Sequence, residues 1–64
     1  MKLEETLNKL DGSELEKIFI YNSHRICLFK GTILQLRNKS DLMDKILIDD
    51  LYFVVGKGYE GVVL

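Results

Sequence analysis

The chain alternates short apolar stretches with polar breaks. The first stretch is KLEETLNKL, where Leu3, Leu7 and Leu10 recur at i, i+4 and i+7. That period places three leucines on one helical face and predicts a helix over 2–10. Glu4 and Glu5 in its first turn and Lys9 in its last suit the helix dipole, and Gly12 supplies a stop. A helix this short is not stable alone in water. Its leucine stripe must therefore dock on something, most simply a sheet.

The next stretch is KIFIYNSHRICLFKG. Ile18, Phe19, Ile20 and Tyr21 are β-branched or aromatic, NSHR is turn-prone, and Ile26, Cys27, Leu28 and Phe29 form a second run ended by Gly31. This pattern predicts a β-hairpin. With Ser23 and His24 as the turn, Tyr21 falls opposite Ile26, Ile20 opposite Cys27 and Phe19 opposite Leu28. One face then carries Phe19, Tyr21, Ile26 and Leu28, and the other Ile18, Ile20, Cys27 and Phe29. Both are apolar, and one helix covers only one face well. The expectation is that a second helix or a second copy of the chain covers the other. The face of Ile18, Ile20, Cys27 and Phe29 is a candidate interaction surface, and a homodimer is expected.

GTILQLRNK reads either as a short strand or as an extended link over 32–37. In SDLMDKILI, Ser40 is positioned to cap a helix, Asp41 sits at its positive end, and Leu42, Met43, Ile46 and Leu47 make an apolar face. Asp49 and Asp50 then mark a turn, and LYFVV at 51–55 a strand. The whole reads as one α+β domain over 1–64, in the order α-β-β-α-β-β. Both helices, N-terminal and short second, pack on an antiparallel sheet.

The end of the chain, VVGKGYEGVVL, puts Gly56, Gly58 and Gly61 at the G-x-G-x-x-G spacing of a phosphate-binding loop. A dinucleotide loop opens a helix and has an acid about 20 residues further on. Neither follows here. The kinase form, G-x-G-x-x-G-x-V, joins two strands but needs a lysine, a catalytic loop and a metal-binding aspartate beyond it. The glycines read instead as turn chemistry: GKG reverses LYFVV into a last strand, YEGVVL, with Gly61 marking a bulge.

Size and charge narrow the classes. The 64 residues bury only about 60% of their unfolded surface, so stability is marginal. One cysteine, Cys27, and one histidine, His24, allow no intrachain disulfide and make a four-ligand zinc site from one chain implausible. Apolar residues are 47% of the chain, enough for a core. The net charge of −1 argues against a dedicated DNA-binding domain, which is usually basic. The charge is nevertheless uneven. The five basic residues Lys17, Arg25, Lys30, Arg37 and Lys39 lie in 17–40 with no acid among them, while both flanking segments are acidic. With Tyr21 and Phe29 interleaved they form a candidate basic patch for phosphates and stacked bases. No apolar run nears the ~20 residues of a membrane helix. The free thiol and the absence of a signal-peptide h-region at MKLEETLNKL point to the cytoplasm.

His24 and Cys27 fall about 10 Å apart at strand rise, too far for a nucleophile–base pair. Asp41, Asp44, Asp49 and Asp50 match no calcium-loop spacing. The expectation is a non-enzymatic chain with no catalytic, cofactor-binding or metal-binding residues.

The succession MKLEETLNKL, KIFIY, LFKGTILQL and two apolar strands resembles short hypothetical proteins common in phages and prophages of Gram-positive bacteria. Those often carry a leucine-bearing N-terminal helix, a strand, and an aromatic-x-Gly step such as Phe29-Lys30-Gly31. The resemblance implies a mobile-element accessory protein and assigns no catalytic residue. The expected partner is another protein, with nucleic-acid binding through 17–39 as the alternative, and no membrane.

Overall fold

The computed structural model describes residues 1–10 and 14–64. The elements are α1 (Leu3–Leu7), β1 (Lys17–Asn22), β2 (Cys27–Thr32), α2 (Ile33–Leu36), α3 (Ser40–Met43), β3 (Leu47–Val54) and β4 (Gly58–Val63). The α+β class follows directly. The sheet is mixed rather than purely antiparallel: its order is β2-β1-β4-β3, with two antiparallel hairpins joined by a parallel β1–β4 pair. Parallel pairing puts both central strands in the middle of the sheet and leaves β2 and β3 as edges.

The helices lie on one face. Leu3 and Leu7 of α1, Ile33 and Leu36 of α2 and Leu42 and Met43 of α3 meet Ile18, Ile20, Leu47 and Val63 from the sheet in one core. Leu10 completes the predicted stripe as a partly buried neighbour. The predicted stop at Gly12 lies outside the described residues. Because α1 spans only five residues, external bonds hold it. Leu3 N–H donates to the Lys45 carbonyl at 2.9 Å, Leu47 N–H to Met1 at 2.8 Å, and the Glu5 carboxylate accepts from Lys2 N–H at 2.9 Å.

The ambiguous segment 32–37 is helical. Thr32 Oγ1 accepts from Gln35 N–H at 3.2 Å and Gln35 Oε1 accepts from Thr32 N–H at 3.0 Å, a reciprocal capping box. The free N–H groups of Ile33 and Leu34 donate to the Glu16 and Glu14 carbonyls, so residues 14–16 finish the helix start. The second predicted helix is the four-residue α3 alone, since Leu47 already begins β3, and Lys39, not Ser40, holds its N-cap position. Strand β3 begins at Leu47, and the predicted turn at Asp49 and Asp50 is a bulge inside it, with Asp49 at φ 60°.

The first hairpin has a different register from the predicted one. Ile20 pairs with Phe29, Phe19 with Lys30 and Ile18 with Gly31, whereas Tyr21 pairs with Cys27. Leu28 is therefore an extra residue in β2. The cause is the turn: Asn22 Oδ1 accepts from His24 N–H at 2.9 Å and Ile26 N–H at 3.0 Å, and Arg25 takes φ 65°. This Asx-type turn is wider than a two-residue Ser-His turn.

Candidate functional site

That bulge reassigns the faces. Ile18 and Ile20 are fully buried beneath the helices, and Phe29 packs against the same core. Cys27 is exposed and shares the opposite face with Tyr21. The predicted surface of Ile18, Ile20, Cys27 and Phe29 is thus not a surface: three of its members build the core and the fourth points away.

The outer face is where the sheet is uncovered. Register places Phe19, Lys30 and Glu60 in one row, Tyr21, Cys27 and Val62 in the next, and Tyr52 beside Glu60. Lys17, two residues before Phe19, falls on the same face. It lines a shallow hollow with Phe19 and Lys30. A second hollow is lined by Tyr21, Arg25, Tyr52, Glu60 and Val62.

Lys57 joins this face from the β3–β4 turn. Its ammonium lies 4.7 Å from the Phe19 ring centre and 5.9 Å from that of Tyr21, donates to Tyr21 Oη at 3.4 Å and pairs closely with the Glu60 carboxylate. The hydrogen bond to Glu60 holds Lys57 protonated above its ordinary range. Conversely, the hydrogen bond from Lys57 holds Glu60 below the usual carboxylate range. The hydrogen bond to Glu60 pushes the Tyr52 phenol up. All three shifts move away from neutrality, so at pH 7 the cluster is a settled ammonium, carboxylate and neutral phenol.

Of the five basic residues predicted to act together, the fold puts three on the same face. Lys17 and Lys30 share one hollow of the outer face, Arg25 lines the other at the far end of β1, and Lys57 lies between. Arg37 and Lys39 sit in the helical layer. Arg37 is a clamp: Nε donates to both Glu14 oxygens at 3.0 and 3.2 Å, one terminal nitrogen to Asn8 Oδ1 at 2.8 Å and the other to the Leu7 carbonyl at 3.1 Å. It ties the end of α2 to the end of α1 and to residue 14.

The remaining candidates stay apart. Exposed His24 offers its backbone to the turn, and Cys27 Sγ donates to the Phe29 carbonyl at 3.3 Å. Asp41 is in the first turn of α3, Asp44 pairs with Lys2 at 3.8 Å, and Asp50 accepts from Leu51 N–H. Among the described residues no three His, Cys, Asp or Glu side chains gather as a metal site, and no helix is long and apolar enough to cross a membrane.

The glycines do not form a phosphate cradle. Gly56 (φ 82°) is in the turn, and Gly58 (φ 127°) starts β4 with the Lys17 carbonyl where a Cβ would sit. Gly61 does mark a bulge: on one side it pairs with Ile20 in regular parallel register, and on the other it lies opposite the bulged residues 49–51 of β3, with Leu47 and Leu51 packed where a Cβ would sit. Sequence reasoning missed Tyr52, Lys57 and Glu60 as members of a common face. Tyr52 and Glu60 flank the GKG turn at matching hairpin positions, a signal that was readable. No family model matches the chain, and neither the curated proteins nor the solved structures contain a match.

Proposed function

We propose that the protein is a small non-enzymatic interaction module, of the accessory kind its sequence pattern suggests, that docks a cytoplasmic partner on the outer face of its sheet. One observation carries this reading: all the helices pack on one side, and the other side presents Phe19, Tyr21, Tyr52 and Val62 among cations. Open sheet faces rich in aromatic groups are natural recognition surfaces. The protonation states of Lys57, Glu60 and Tyr52 support a binding role, because a general base or nucleophile needs a pKa brought towards neutrality, not away from it.

Charge favours a different molecule over a second copy as the partner. Lys17, Arg25, Lys30 and Lys57 surround the Glu60 carboxylate, with Glu16 beside Lys17 and Lys57 at the margin. Stacking two such faces in a homodimer would oppose like charges.

The test compares two charge-reversed variants as immobilised bait in a lysate of the source cells. Lys17→Glu with Arg25→Glu alters the outer face, and Glu4→Lys with Asp41→Lys alters the helical layer. The expected result is that partners held by the wild type are lost from the first variant and kept by the second. Equal retention by both variants would place binding elsewhere and refute the reading.

A further inference from the structure

The chemistry of the outer face narrows the partner, and this step rests on the docking reading above. We infer that the outer face binds single-stranded nucleic acid, with Phe19 and Tyr21 stacking bases and Lys17, Lys30, Arg25 and Lys57 contacting phosphates. The two rings are two residues apart on the central strand β1, about 7 Å at strand rise. That matches the separation of neighbouring bases in an extended strand. Tyr52 extends the row on the far side of Glu60 and is 53% exposed.

The cations are arranged as a track would need. Lys17 and Lys30 flank Phe19 at one end of β1, and Arg25 lies beside Tyr21 at the other. Lys57 lies between, already over both rings. A ring stacked on Phe19 displaces its ammonium onto the adjacent backbone, exchanging a cation–π contact for a phosphate contact. An acidic peptide would satisfy the cations but would leave the ring faces without planar partners. A duplex hides its base faces in the stack and cannot reach the rings. The acidic total charge does not decide the matter, because contacts at this range are governed by the local face.

The probe is a fluorescein-labelled oligothymidylate of about ten nucleotides, within the usual span of a single-strand site. It is titrated with the full chain and followed by fluorescence anisotropy. With a net of about three phosphates neutralised, log K should fall with log salt at a slope of about −2, or about 20-fold between about 50 and about 200 mM. Tyr21→Val, which keeps a β-branched residue in the strand, should weaken binding about tenfold by removing one stacking ring. Lys17→Gln with Lys30→Gln should flatten the slope. Lys9→Gln with Lys39→Gln, in the helical layer, should change neither. Circular dichroism of each variant confirms folding.

No binding at the lowest salt overturns the inference. So does binding that ignores Tyr21→Val, or that a duplex of equal length matches. A glutamate decamer titrated in parallel distinguishes a nucleic-acid site from a general docking face. If the decamer binds through Lys17 and Arg25 while the oligonucleotide does not, the nucleic-acid assignment is overturned and the docking face stands. If neither binds, the nucleic-acid inference falls, and the bait comparison alone decides the docking reading.

Discussion

Replacing Gly58 with alanine tests the closing hairpin and its parallel neighbour together. Two costs add at this position. At φ 127° an L-residue is strained, which costs about 1–3 kcal/mol. The new Cβ would also fall on the Lys17 carbonyl and lie 3.1 Å from the Lys17 Cβ, in the tight start of the β1–β4 pair. Relieving such overpacking costs another 1–3 kcal/mol or so. The sum is roughly 2–6 kcal/mol, in a chain whose whole stability is about 3–10 kcal/mol at ordinary values per residue. Gly56 is the internal control. It too has positive φ, 82°, but a Cβ there meets nothing within 4 Å. Gly56→Ala should cost about 1–2 kcal/mol, in part offset by reduced freedom in the unfolded chain. Urea denaturation followed by far-UV circular dichroism measures both. In melting temperature the Gly56 variant should fall by a few degrees to about 10 °C, and the Gly58 variant by more than about 10 °C or fail to fold. If Gly56→Ala destabilises as much as Gly58→Ala, the close approach of β4 to the Lys17 carbonyl is wrong.

Other consequences are independent of that hairpin. Arg37→Ala should lose roughly 1–2 kcal/mol of unfolding free energy, discounted because the Arg37 and Glu14 side chains are partly exposed. Arg37→Lys should not restore it, since one ammonium cannot reach Glu14, Asn8 and the Leu7 carbonyl together. The lowered pKa of Glu60 predicts stability that is full above the ordinary carboxylate value of about 4.5 and lost as pH falls below it. Acid titration of the melting temperature should therefore show a shallower fall in Glu60→Gln than in the wild type; identical slopes would contradict the ion pair. Cys27 should be labelled by a thiol reagent in the native state as readily as in urea, and Cys27→Ser should change stability by less than about 0.5 kcal/mol. A thiol that reacts only on unfolding would put Cys27 back in an interior.

The parts of this fold that were readable are the local ones. The leucine spacing in KLEETLNKL, the polar break at NSHR and the GKG turn each act within a few residues, and each produced its element. The capping box Thr32-x-x-Gln35 was equally local and was hidden by the alternation of Thr32, Leu34 and Leu36, which mimics a strand. The rest depends on contacts distant in sequence. Nothing near Lys17 or Gly58 announces that β1 and β4 run parallel, since that pairing is fixed by how two hairpins share a helical layer. The outer face inherits this difficulty. Its register depends on one extra residue, Leu28, whose bulge carries Cys27 across the sheet. Its cations come from two segments, so the basic stretch 17–39 both overstated the cluster, by including Arg37 and Lys39, and missed Lys57.

Docking on the outer face requires that face to be open in the free protein. Hydroxyl-radical footprinting read by mass spectrometry, repeated across a dilution series, examines that face residue by residue. The prediction is that Tyr21 and Tyr52 oxidise at rates independent of concentration, with Tyr52 the faster, while Ile18 and Ile20 stay protected. Protection of Tyr21 and Tyr52 that deepens with concentration would show a second copy covering the face, and would contradict the account.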